Sequence, residues 1–423
     1  MIAPGLATRI ATPTPLRQTL SPACALYVPE RYESRFSLIE AFCNELREAG
    51  PEVGLATNPP SVQGLRQRLA SAFVFFNFAP TAQMLFDWIG DTRHLQGVPL
   101  ALVQWLIDHP LNLDQKFTTD LLSQSGYRLV TVANDDTRLL RLRWPHLQHF
   151  TVMHGVPRSA LVPIDMIEAS HAGHGEYARD IDVLFSGSIA SEADLANLLA
   201  QVPAALHRYC DEIVQLKLAE PMLSFGQAFE LVMPSPLICP DHWGILAVVF
   251  RYTTAVLNRI RRTSMLRAMK GMRVTLLGTS SWSADVEQAR TEGVKIDFVQ
   301  DVPYRELPQY FARAKVCVAI NPTQFTHAFS ERLLLSLAGG CGTITDRRLT
   351  VTKNFANDET PHCVELCDLK HVESVREAAD RLLRDGDHRI SMSVRGREDV
   401  ERSHLWAHRL VELYRKLGMA KTV

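Results

Sequence analysis

The chain has 423 residues, 46% of them hydrophobic, which is enough for two domain cores of ordinary size. Its 45 Lys and Arg against 46 Asp and Glu give a formal net charge of −1, so there is no global positive field to attract a phosphate backbone, and no nucleic-acid partner is expected. No apolar run approaches the roughly 20 residues that cross a bilayer, and the eight cysteines are scattered without paired metal-type spacing. These features predict a reduced, cytoplasmic protein with no transmembrane segment and no metal site.

The first residues, MIAPGLATRIATPTPLRQTL, place Pro and Thr where a signal peptide needs a continuous apolar core, and 1–20 reads as a flexible leader. Short apolar runs then alternate with amphipathic segments such as RFSLIEAFCNELREAG. CALYVP (24–29), AFVFFNF (72–78), PLALVQWLI (99–107), YRLVTVAN (127–134) and HFTVMHG (149–155) read as buried strands. That alternation predicts a first α/β domain over 21–165, with a parallel sheet wrapped by helices. A linker is placed at 166–180, within a stretch rich in Pro, His and Gly.

The second half repeats the pattern over 181–400. Its strand-like runs are DIDVLFSGS (180–188), RVTLLG (273–278), VKIDFV (294–299), KVCVAIN (315–321), CGTITD (341–346) and HCVELC (362–367). Between the first two lies a mostly helical insertion, about 192–270, longer than a crossover needs. Residues 401–423 hold an amphipathic helix, SHLWAHRLVELYRKLG, expected to pack back toward the first domain. Open α/β sheets bind ligands beyond the carboxyl ends of their strands, so function is sought in the loops there.

The most informative loop is NPTQFTHAFSERLLLSLAGGCGTITDR, 321–347. Asn321 ends a strand, Ser330 is a plausible N-cap, and Leu333, Leu334 and Leu337 make the buried stripe of a helix that Gly339 and Gly340 terminate. Glu331 and Arg332 then occupy the first turn, beside free backbone N–H groups and the positive end of the helix dipole. Arg332 there suits a diphosphate, and Glu331 suits sugar or ribose hydroxyls; the plainer alternative is dipole complementation and a solvated arginine. His327 and Phe325 are candidates to line the donor pocket. Gly187 and Ser188 follow the first strand of this half, and Trp282 is a candidate nucleobase stack or a half-buried loop residue. In the first half, Asp108 and His109 follow one strand and His154 ends another, where an acid or base would orient an acceptor or take its proton. Asn134 and Asp135 read as helix caps. The basic stretch RIRRTSMLRAMKGMR reads as a solvated helix face.

The run DVPYRELPQYFARAKVCVAINPTQFTHAFSERLLLSLAGGCGTITDR resembles the carboxyl-terminal donor domain of CgeB-like glycosyltransferases of the spore maturation protein type. DIDVLFSGS, VTLLGTSSW, VQWLIDHP and FTVMHGVP are similar to further segments of that family, in its order, over about two thirds of the chain. The resemblance implies a GT-B fold, with two doubly wound Rossmann-like domains and a cleft between them. It also implies metal-independent transfer of a sugar from a nucleotide sugar, of UDP or TDP type, to a protein or glycan acceptor, with retention favoured. No cofactor is implied beyond that donor substrate. Glu331 would meet the ribose and Arg332 the diphosphate. Leu335 stands where the broader retaining superfamily has a second Glu, and no basic residue follows the first strand. Diphosphate binding would then rest on backbone N–H groups, Arg332, and Arg347 or Lys353. The alternatives are a nonhydrolysing nucleotide-sugar epimerase and a catalytically silent nucleotide-sugar-binding scaffold or sensor.

Overall fold

In a computed structural model the chain forms two six-stranded, wholly parallel sheets. The structure describes residues 24–27, 44, 53–56, 73–77, 100–106, 108–112, 127–133, 135–171, 179–357 and 362–418. The expected leader, the amphipathic segment at 35–50 apart from Asn44, and Asn134 lie outside the described residues.

The first sheet comprises β1 (Cys24–Tyr27), β2 (Val53–Ala56), β3 (Phe73–Asn77), β4 (Leu100–Leu106), β5 (Tyr127–Thr131) and β6 (His149–Thr151), in the order β2-β1-β3-β4-β5-β6. The run VGLA of β2 is short and contains a glycine, and it escapes a reading based on apolar runs. The second sheet comprises β7 (Ile181–Ser186), β8 (Arg273–Gly278), β9 (Lys295–Gln300), β10 (Ala314–Val318), β11 (Gly342–Asp346) and β12 (Glu365–Cys367), in the order β12-β11-β10-β7-β8-β9. Winding runs outward in both directions from the β7/β10 pair, which makes that pair a topological switch point. The loops leaving β7 and β10 diverge to opposite faces and open a crevice, the ligand position in such sheets. Both faces of this sheet are covered, one by a core around Phe185, Val274 and Val316, the other by a core around Leu184, Cys317 and Leu333.

The insertion contains the helices Glu192–Ala200, His207–Ala219, Phe225–Val232 and Trp243–Ala268. Its apolar faces join the first half: Leu106, Leu129, Leu140 and Trp144 share one core with Phe225, Phe229, Trp243 and Phe250. Trp144 meets Trp243 edge to face at 4.8 Å. A segment that the chain order assigns to the second sheet thus completes the core of the first.

Part of the expected linker is structured. The helix Ile164–His171 buries Ile167, and the His171 Nε2–H donates to the Gly340 carbonyl at 3.0 Å. The last helix, Trp406–Lys416, lies against the first half. The Val156 N–H donates to the His404 carbonyl and the Val156 carbonyl accepts from the Trp406 N–H, and Trp406 meets Trp105 of β4 edge to face at 5.5 Å.

Candidate functional site

The loop after β10 is held by a buried polar network. The Asn321 backbone N–H and Nδ2 donate to Asp346 Oδ1 at 2.8 and 3.0 Å, and Asn321 Oδ1 accepts from the Ser330 N–H at 2.7 Å. Asp346 in turn pairs with Arg348, both side chains fully buried, and Arg348 Nη1 donates to the Thr326 carbonyl at 3.2 Å. This network fixes where the helix Glu331–Ala338 begins. Ser330 caps it through its backbone alone, and its Oγ is buried without a partner. Leu333, Leu334 and Leu337 are buried below, and Gly340 takes a φ of 69° at the far end. A β-carbon on Gly340 would stand 2.6 Å from Ile167.

Glu331 and Arg332 occupy the first turn, half-buried. Burial pushes the Glu331 carboxyl up to about 8, against the hydrogen bond donated by the Tyr304 hydroxyl and the charge of Arg332. At neutral pH this group is a protonated acid, so it does not repel an anion. Burial likewise lowers the pKa of Arg332, with Glu331 opposing the shift. Among the described residues the Arg332 guanidinium forms no hydrogen bond or ion pair.

The missing basic residue of the β7 loop comes from elsewhere. Arg262, on the long helix Trp243–Ala268, is 5% exposed and donates to the Ser188 carbonyl. Its Cζ would lie 3.3 Å from a β-carbon on Gly187. Burial first, then the charge of Arg332, lowers its pKa to about 9, and Asp346 partly offsets this. The basic stretch is therefore not a solvated face: Arg261 and Arg262 are buried, while Met265, Leu266 and Met269 pack into the sheet core. Arg347 and Lys353, the alternatives considered for the diphosphate, are exposed.

Trp282 is no nucleobase platform. It is fully buried, edge-on to Phe185 at 6.0 Å, and its Nε1–H donates to the Gly187 carbonyl at 2.7 Å. Its ring lies so close to Gly278 that a β-carbon there would be 2.4 Å from Cδ1. The tryptophan braces the β7 loop from beneath.

Of the first-half candidates, His154 comes nearest. It is 6% exposed, its Nε2 is unpartnered, and its ring meets Phe325 edge to face at 5.9 Å. Burial, then Arg409 and Arg332, drive its pKa to about 3, so it stays neutral. Arg409 of the last helix anchors its carbonyl at 2.8 Å. Asp108 is half-buried and accepts from Gln324 Nε2, in the β10 loop, at 3.2 Å. His109 faces the other way. Nε2 meets Asp136 Oδ2 at 2.8 Å, Nδ1 accepts from the Leu111 N–H at 3.2 Å, and the ring stacks on Phe250 at 4.2 Å. Every polar atom of that ring is committed to the shared core, and it is not available to an acceptor. The His327 backbone N–H donates to Asp135 Oδ2 at 3.0 Å, and the residue is half-exposed. Asp135 does not cap the following helix; Asp136 stands at that position, with a φ of 59° and no side-chain capping bond.

Residues 261–415 match the family described as glycosyl transferase-like. No curated protein sequence matches the chain. Among solved structures it is similar to a sucrose-phosphate synthase from Thermosynechococcus elongatus, at 13% identity over 94% of this chain and 99% of that one, with a TM-score of 0.52. It is also similar to a glycosyltransferase from Rickettsia africae ESF-5, at 9% identity over 94% and 98% of the two chains, with a TM-score of 0.50. At such identities the likeness establishes the fold, which is GT-B. The matched segment includes Arg262, Glu331 and Arg332, and with the GT-B fold it supports a glycosyltransferase enzyme.

Proposed function

We propose that this enzyme draws its sugar from a nucleoside diphosphate sugar, of UDP or TDP type, bound at the β7/β10 switch point. The acceptor, a protein or glycan, docks on the first half. The observation that carries the reading is the convergence of Arg262 and Arg332 from two separate helices. Neither has an ion pair among the described residues, and the charge of Arg332 adds to the cost of keeping the buried Arg262 charged. Like charges gathered without a counter-ion form a site for an anion. The helix dipole at Glu331–Ala338 and the unpartnered Ser330 Oγ add to it. The protonated Glu331 would donate to a ribose oxygen, and the two arginines would stabilise the departing diphosphate as the sugar gains oxocarbenium character. The segment resemblances favour the CgeB-like group and retention, and buried thiols such as Cys210, Cys317, Cys341 and Cys367, which form no disulfide, suit a cytoplasmic setting. Among the described residues no helix is long and apolar enough to cross a membrane.

Thermal shift of the wild type and of Arg332→Ala against UDP, TDP, GDP and their glucose conjugates tests this. One nucleotide should raise the melting temperature by mass action, and the variant should lose the rise. No rise with any of them, in folded protein, overturns the reading.

A further inference from the structure

Beside the donor loop lies a cavity of about 310 Å³ that the diphosphate reading does not use. It opens where three parts of the chain meet: Asp135 and Thr137 after β5, Gln227 and Glu230 on the Phe225–Val232 helix of the insertion, and His327 in the loop leading to Ser330. The Asp135 side chain is fully buried there. Its Oδ2 accepts the His327 N–H at 3.0 Å, but Oδ1 has no hydrogen-bond partner, and His327 Nε2 stands 3.9 Å away, beyond bonding reach. His327 Nδ1 is also buried and unpartnered. A buried acceptor left open is costly in a folded protein unless something outside the chain fills it.

The lining also selects what fills it. Among the described residues the cavity is lined by three carboxylates, Asp135, Asp136 and Glu230, against one guanidinium, Arg138, which pairs with Glu230 at 2.9 Å. An anionic ligand would be repelled, whereas hydroxyl donors would be received by the open carboxylate oxygen. The volume accommodates a small polyhydroxylated ring. We infer that this cavity is the acceptor subsite, and that it takes an uncharged, hydroxyl-rich saccharide whose hydroxyl is received by Asp135 Oδ1. This deepens the transferase reading and rests on it: His327 in the cavity wall belongs to the same loop that leads to Ser330 and the Glu331–Ala338 helix.

The test is saturation-transfer NMR on the full chain with glucose, galactose, mannose, N-acetylglucosamine and, as the anionic arm, glucuronic acid. At least one neutral sugar should bind and glucuronic acid should not. Asp135→Asn keeps the side-chain volume but turns a donor toward the cavity, and it should weaken that sugar about tenfold or more, the order of one buried charged hydrogen bond. Glu230→Gln, at the exposed rim, should weaken it less and admit glucuronic acid. Binding unchanged in Asp135→Asn, or no neutral sugar bound by the wild type, overturns the assignment. The nucleotide-induced thermal shift, measured on the same samples, should persist in Asp135→Asn. Its absence from the wild type would overturn the donor reading, while the sugar titrations report on the cavity separately.

Discussion

The guanidinium carbon of Arg262 lies 3.3 Å from the point a β-carbon would occupy on Gly187, so the loop after β7 and the long insertion helix are fitted to each other. A β-carbon there would crowd the guanidinium, and glycine gives it room. Arg262→Ala should lower nucleotide affinity about tenfold or more, the order of one hydrogen bond to a charged group. It should also flatten the salt dependence of binding, measured by calorimetry at low and high ionic strength. Arg262→Lys should restore only part, because an ammonium lacks the planar fork that donates to the Ser188 carbonyl and would leave further N–H groups for a phosphate. Affinity unchanged in Arg262→Ala would remove this residue from the site.

Glu331 gives a pH signature with a definite sign. Its carboxyl stays protonated up to about 8 in the folded protein, against an ordinary value of 4.5. Nucleotide affinity should therefore fall as pH rises through about 8, when the group ionises beside the diphosphate. Glu331→Gln, a neutral isostere, should bind like the wild type at pH 7 and keep its affinity at pH 9, while Glu331→Ala should bind weakly at both. The folded state holds the extra proton across this window, so stability should also decline as pH rises from 4.5 to about 8, and Glu331→Gln should remove that part of the slope. Flat binding across pH 8 in the wild type would show that the carboxyl is not protonated.

The apolar runs made the two parallel sheets legible, because strands buried on both faces read as continuous hydrophobic segments. The Ser330–Gly340 helix was equally plain from its stripe and its terminal glycines. Arg262 was not. It lies about 70 residues from the loop it serves, and its helix carries Met and Arg at spacings that suit either a solvated or a buried face. For His109 and Trp282 the difficulty is the opposite one: a loop position after a strand suits either access or burial, and both rings turn inward, His109 onto Phe250 and Trp282 onto Phe185. The insertion hid its role because nothing in one sequence says which sheet a helix will cover.

Trp282 should act on the donor site through Gly187. Trp282→Phe keeps most of the ring but removes the N–H bonded to the Gly187 carbonyl, a loss of about 1–2 kcal/mol. The melting temperature should drop by about 1–2 °C, and nucleotide affinity should weaken modestly with it. Gly278→Ala should be at least as harmful, since its β-carbon would meet the indole at 2.4 Å. If Trp282→Phe weakened binding without any loss of stability, the ring would have to contact the ligand directly.

Asp136 is the joint between the insertion and the first sheet, and its replacement separates backbone from side-chain effects. Oδ1 accepts Ser224 Oγ at 2.5 Å and the Gly226 N–H at 2.7 Å, while Oδ2 takes His109 Nε2–H at 2.8 Å. The residue also sits at a φ of 59°, a region that Asp and Asn tolerate better than Ala. Asp136→Ala loses all three bonds and the backbone preference, and should cost about 3 kcal/mol or more. Asp136→Asn keeps the backbone and the Oδ1 acceptor but sets an amide against His109, whose Nδ1 is already receiving Leu111; its cost should be smaller, about 1–3 kcal/mol. The acid limb should separate them from the wild type as well. Burial raises the Asp136 pKa, but the His109, Ser224 and Gly226 bonds outweigh it, and the net shift is downward from 3.8. Its stabilisation is therefore present above 3.8 and lost as pH falls through the lower folded value, and both variants should lack that loss. Urea unfolding followed by Trp fluorescence and by circular dichroism measures this. Because Trp144 and Trp243 share one core, the two signals should move together in the wild type and in Asp136→Asn. Two separate transitions in the wild type would mean that the insertion folds apart from the sheet it covers.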